Sequence, residues 1–119
     1  MTRIVDVVTS GASHRPALFL VHPMGADASF WADFAALMSD DFFCIAPTQY
    51  GAGRSPDITE PLSIDGHAQD IEALREQLGL SRMVVIGCAI GAMIGARFAD
   101  LYPEHVSALV MTNPGLRTR

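Results

Sequence analysis

The stretch Val84-Val85-Ile86-Gly87-Cys88-Ala89-Ile90-Gly91-Ala92-Met93-Ile94-Gly95 decides the fold. Its β-branched start predicts a buried strand over 83–86. The mostly small and apolar residues from Gly91 to the stop at Pro103 predict a helix over 91–102. Between the two, Gly87 and Gly91 flank a turn too tight for a Cβ on either side, and the helix that begins at Gly91 has to pack close to the sheet. Gly91 and Gly95 also match the spacing at which membrane helices touch, but Arg97 and Asp100 follow and the helix is too short to span, so close helix-to-sheet contact is the better reason.

Outward from this unit the chain repeats its logic. Ala17-Leu18-Phe19-Leu20-Val21 is apolar without alternation, as in a strand covered on both faces. Residues 42–46 predict another such strand, stopped by Pro47, and residues 106–111 a final one after the stop at Pro103. A β-branched run at 4–8 predicts the first strand, and the turn-rich residues 10–16 a loop. Two helices lie between the strands. Asp27 or Ser29 can cap the first, with Phe30, Trp31, Phe34, Leu37 and Met38 recurring at helical spacing to about residue 39. Ser63 caps the second, which carries Ile64, Ala68, Ile71, Leu74 and Leu78 on one stripe, Asp65, Asp70, Glu72, Arg75 and Glu76 on a wet face, and Gly79 as a left-handed end. Alternating strands and helices predict an α/β fold: a mostly parallel sheet, joined by right-handed crossovers, with helices on both faces.

A chain of 119 residues holds one domain or part of one, and 50% hydrophobic content against 18% charge is rich enough for a sizeable core. The net charge of −5 and the scattering of the eight Lys and Arg argue against a nucleic-acid partner. No apolar run approaches the ~20 residues of a membrane span, and the start carries Asp6 where a signal peptide needs apolar residues, so no membrane association and a cytoplasmic location are expected. Cys44 and Cys88 lie in apolar runs and read as reduced, buried thiols. No two histidines sit at metal-ligand spacing, so neither a metal nor another cofactor is expected.

Gly87-Cys88-Ala89-Ile90-Gly91 falls into register with the nucleophile elbow G-x-S-x-G, with Ala89 where the nucleophile would stand. Further supports are His22-Pro23-Met24-Gly25-Ala26-Asp27 followed by Trp31, the Gly51-Ala52-Gly53-Arg54-Ser55 loop, and Tyr102-Pro103-Glu104-His105-Val106 leading into Leu109-Val110-Met111-Thr112-Asn113. Together these make residues 1–119 resemble the N-terminal part of a single α/β-hydrolase core domain of the three-layer type, closest to the 3-oxoadipate enol-lactonase group and its lactonase, esterase and C–C hydrolase relatives.

The resemblance implies a hydrolase of small carboxylic esters or lactones. It also implies an oxyanion hole from the backbone N–H groups of Ile90 and Met24; Gly25 and Trp31 read as pocket residues, with core packing an equally good reading of Met24 and Trp31. The family usually has an Asp and an Arg before the Gly-x-Gly loop, where this chain has Thr48 and Tyr50, so an ion pair or hydrogen bond is expected to be replaced there. The family's acid and histidine, and its helical cap, lie beyond Arg119. The last strand would otherwise be a bare apolar edge, and a second polypeptide completing the fold is therefore expected, with the basic Arg117-Thr118-Arg119 terminus consistent with cleavage.

Alanine cannot attack a carbonyl. Ala89 can mark a replaced serine, a natural loss of the nucleophile, or chance similarity of a Gly-rich turn; with the nucleophile absent the fold could instead serve as a ligand-binding protein, or as a lyase or oxygenase working with a His–acid pair. Cys88 stands one residue early and reads as inert. His22 reads as a loop-shaping hydrogen-bond partner, His67 and His105 as solvated or structural, and His14 as part of a surface turn.

Overall fold

The computed structural model describes residues 2–53 and 58–113. Arg54 and Ser55 of the Gly-x-Gly loop and the Arg117-Thr118-Arg119 terminus lie outside the described residues. The elements are β1 (Val7–Ser10), β2 (Ala17–Val21), a 3-10 turn (Ala28–Trp31), α1 (Ala32–Met38), β3 (Phe43–Pro47), α2 (Ile64–Leu78), β4 (Met83–Cys88), α3 (Ile90–Leu101) and β5 (Val106–Thr112).

The strands form one sheet in the order β1-β3-β2-β4-β5. β2 lies parallel to β3 and β4, and β4 parallel to β5, while β1 alone runs antiparallel, pairing Val7 with Pro47 and Ser10 with Cys44. All five residues of β2 are buried, because the central strand is covered on both faces. Its alternation sorts them by layer: Ala17, Phe19 and Val21 join Ala68, Ile71 and Leu74 of α2 and Ile94 and Phe98 of α3 in one core. Leu18 and Leu20 join Cys44, Ala46, Ile86, Ala28 and Trp31 in the other. The result is three layers, with α2 and α3 on one face and α1 on the other, as expected for the family.

Helix ends follow local chemistry. Ser63 accepts from the Gly66 N–H at 2.9 Å, and Gly79 closes α2 at φ 71°, a conformation that a Cβ would strain. Asp27 accepts from the Ser29 N–H at 2.9 Å and starts the 3-10 turn.

Several expectations are corrected. The first strand is displaced from 4–8 to Val7–Ser10, because Arg3 is held by Asp70 and Ile4 is used in the core instead. The stripe on the first helix splits: Trp31 is buried, but Phe30 is half-exposed and Leu37 points to water at 81% exposure, since the chain winds as 3-10 before the helix and shifts the phase. Two members of α2's expected wet face are buried. The Asp70 carboxylate takes the Arg3 guanidinium at 2.9 Å and the Arg3 N–H at 3.1 Å, and Arg75 bonds Glu72 at 2.8 Å. Buried charges persist only when paired in this way.

Candidate functional site

A cavity of about 590 Å³ opens at the carboxyl ends of β2, β3 and β4. This is where crevices form in open parallel sheets, because the chain leaves each strand there and successive loops diverge. Three junctions build it.

After β2, His22 is buried with both ring nitrogens engaged. Its Nδ1 lies 2.8 Å from the Pro23 carbonyl oxygen, which only accepts, so the ring hydrogen is on Nδ1. Nε2 then accepts from the Gln49 N–H at 3.1 Å, and the Gln49 amide donates back to the His22 carbonyl at 2.8 Å. Burial lowers the pKa of this imidazole, in keeping with a neutral ring. His22 is thus the loop-shaping partner that its position predicted, and neither nitrogen is left for proton transfer. Beyond it, Met24 is 82% exposed on the cavity wall, next to Gly25.

After β3, the fully buried Thr48 hydroxyl donates to Asp6 at 2.9 Å and accepts from the Ala28 N–H at 2.9 Å. A neutral hydroxyl therefore ties β1, the β2 loop and the β3 loop together where the family usually has an acid. Tyr50 follows, its hydroxyl accepting from the Thr59 N–H at 2.7 Å and its ring stacked under the Arg3 guanidinium at 4.0 Å.

After β4, Ala89 sits at φ 55°, ψ −119°, a conformation costing a non-glycine residue about 1–3 kcal/mol. Its N–H donates to the Thr112 carbonyl at 2.9 Å and its carbonyl accepts from Ala92 at 2.9 Å. The junction is fixed by contact: a Cβ on Gly87 would run into the Gly91 carbonyl, and a Cβ on Gly91 into the Val21 carbonyl. Ile90 is the first helical residue, so its N–H has no acceptor within α3, and it lines the cavity. Cys88 packs against the core on the α1 side.

Met24, Gly25 and Ile90 thus share one cavity, while Ala89 is half-buried at the junction behind the wall. Trp31 is not on the wall. It is 7% exposed in the core, edge-on to Phe30 at 5.1 Å and to Phe34 at 5.7 Å, and its half-exposed neighbour Phe30 lines the cavity in its place. Sequence reasoning missed Gln49 and His67, both of which line the cavity. His67 falls at i−4 from Ile71 and i−7 from Leu74, on the edge of the α2 stripe, and that spacing was the available signal. His105 is structural, its Nδ1 2.8 Å from the Ser81 carbonyl oxygen. Among the described residues no three His, Cys, Asp or Glu side chains gather closely enough to hold a metal ion. No helix among them is long and apolar enough to cross a membrane.

A family model described as alpha/beta hydrolase fold matches residues 16–118. A relative from Escherichia coli O81 (strain ED1a), which carries the assigned name carbamate hydrolase RutD, is 32% identical over 103 residues, or 86% of this chain and 39% of its own. The chain therefore spans about two fifths of the length of such relatives. Among solved structures, a thermophilic esterase from Thermogutta terrifontis superposes with a TM-score of 0.88 at 24% identity, covering 96% of this chain and 42% of that one. The 2-hydroxy-6-oxo-6-phenylhexa-2,4-dienoate hydrolase from Rhodococcus sp. strain RHA1 gives 0.86 at 20%, covering 92% and 42%.

Proposed function

Because the chain belongs to the α/β-hydrolase fold family, we propose that the protein carrying it is built to hydrolyse a small acyl compound, an ester or lactone, at the junction of β4 and α3. The single observation that supports this most is the strained backbone of Ala89, held between interlocked Gly87 and Gly91. A conformation that costs free energy persists only where surroundings impose it, and such positions cluster at functional sites. With a serine at position 89, the hydroxyl oxygen would attack the carbonyl, and the developing alkoxide would lie toward the N–H groups of Ile90 and Met24. Two donors fixed before the reaction stabilise that charge without reorganising, which is the main source of rate in such sites. With Ala89 the acyl-enzyme route is closed, and the chain as it stands is inactive by that route.

The base and its acid come, in this proposal, from outside the described residues. Two observations support it. Both His22 nitrogens are engaged, and the His67 ring has no hydrogen bond to a carboxylate among the described residues. A location in the cytoplasm fits this proposal.

The test is Ala89→Ser in the intact native protein. Short-chain nitrophenyl esters, small lactones and, given the name borne by the Escherichia coli relative, carbamates are the substrates to try. Saturable hydrolysis with an acyl burst, absent from the unsubstituted protein, is the expected result. A folded serine variant that hydrolyses none of them sinks the proposal. The methyl group at position 89 favours one other reading, a ligand-binding protein without turnover, for which binding would persist and Ala89→Ser would add nothing.

A further inference from the structure

His67 is the one ring on the cavity wall whose nitrogens are both without a hydrogen-bond partner among the described residues. It stands near the start of α2, beyond the Ser63 cap, opposite the loops that follow β2 and β3. Nδ1 is shielded from water and has no partner, whereas Nε2 is not shielded in that way.

That asymmetry fixes the tautomer. A buried N–H without an acceptor is rarer and more costly than a buried lone pair without a donor, so Nδ1 carries the lone pair and the hydrogen lies on Nε2. Burial lowers the pKa of the ring; the Asp70 carboxylate acts against this, while Arg3, which Asp70 holds, and His22 act with it, and the net direction is toward the neutral form.

We propose that His67 is the specificity residue of the cavity, donating its Nε2 hydrogen to a carbonyl or carboxylate oxygen of the ligand. Met24, Phe30, Leu62 and Ile90 give the same cavity an apolar lining that suits a short hydrocarbon chain. A short carboxylic acid, or an ester or lactone with a second oxygen acceptor, meets both demands. The assignment rests on this cavity being the ligand site and not on turnover, so it stands or falls separately from the serine experiment.

The test uses the intact native protein, with Ala89 in place and histidine labelled with nitrogen-15. Long-range proton–nitrogen spectra report which nitrogen of His67 is protonated, and titration with butyrate follows the ring through binding. The expected result is the Nε2–H tautomer, a saturable shift of that nitrogen, at least tenfold weaker butyrate binding in His67→Phe, and a loss under threefold in His67→Gln, whose amide also donates. An Nδ1–H tautomer in the free protein overturns the proposal without recourse to any variant. So does butyrate binding of equal strength in His67→Phe, or the absence of any saturable shift.

Discussion

The junctions after β2 and after β4 meet at the same cavity and are held by opposite means. After β2 the chain is fixed by hydrogen bonds from side chains: His22 to the Pro23 carbonyl and from the Gln49 N–H, Gln49 back to His22, and Thr48 between Asp6 and Ala28. After β4 it is fixed by the absence of side chains, with Gly87 and Gly91 letting the α3 backbone settle against β4 and β2. The first arrangement can be changed by protonation, because one of its members titrates. The second responds only to volume.

Adding one methyl group at the second junction is the harshest way to break this contrast. Gly91→Ala places a Cβ against the Val21 carbonyl, where backbone rather than a flexible side chain must yield. We expect a loss of about 3 kcal/mol or more in urea unfolding, at the upper end of overpacking costs; a loss under about 1 kcal/mol would mean that the helix is free to slide. At the first junction, His22→Phe keeps ring volume but leaves the Gln49 N–H and the Pro23 carbonyl unpaired, and should cost about 2 kcal/mol. The same variant sharpens the contrast in pH. His22 and His67 both have pKa values lowered by burial. The unfolded chain therefore binds protons first, near the ordinary histidine value of about 6.5. Stability should be complete above that value and fall as pH drops from it toward the depressed folded values. His22→Phe should flatten that decline, and an unchanged slope would show that His22 is not its source. The smallest effect carries the opposite sign. Ala89→Gly relieves the strain at φ 55° and should raise stability by roughly 1 kcal/mol, net of the greater entropy of glycine in the unfolded chain.

How much of this was legible in the sequence follows from how local each cause is. Gly87 and Gly91 were legible because their demand is steric and lies within one turn of chain. The caps at Ser63 and Gly79, and the covered strand at 17–21, were legible for the same reason. The burial of Asp70 was not, because it depends on Arg3, which lies 67 residues away in sequence. Trp31 was legible as apolar, with pocket and core equally good readings; a 3-10 turn in place of the first helical turn decides for the core and leaves Phe30 on the wall. His67 is the sharpest case: its spacing marks the edge of a stripe, and only the approach of the β2 and β3 loops turns that edge into the wall of a cavity.

The sequence alone thus determined the layered α/β fold, the tight glycine-flanked turn from β4 into α3 and the alanine at its apex, because periodicity, glycine spacing and the identity of residue 89 are properties of short stretches. Only the tertiary structure decided which polar groups are engaged, that His22 is locked while His67 lacks a partner among the described residues, and that Met24, Gly25 and Ile90 share one cavity. Hydrogen-bond partners and buried charges are chosen by the sheet order β1-β3-β2-β4-β5, which brings together residues that the chain keeps apart.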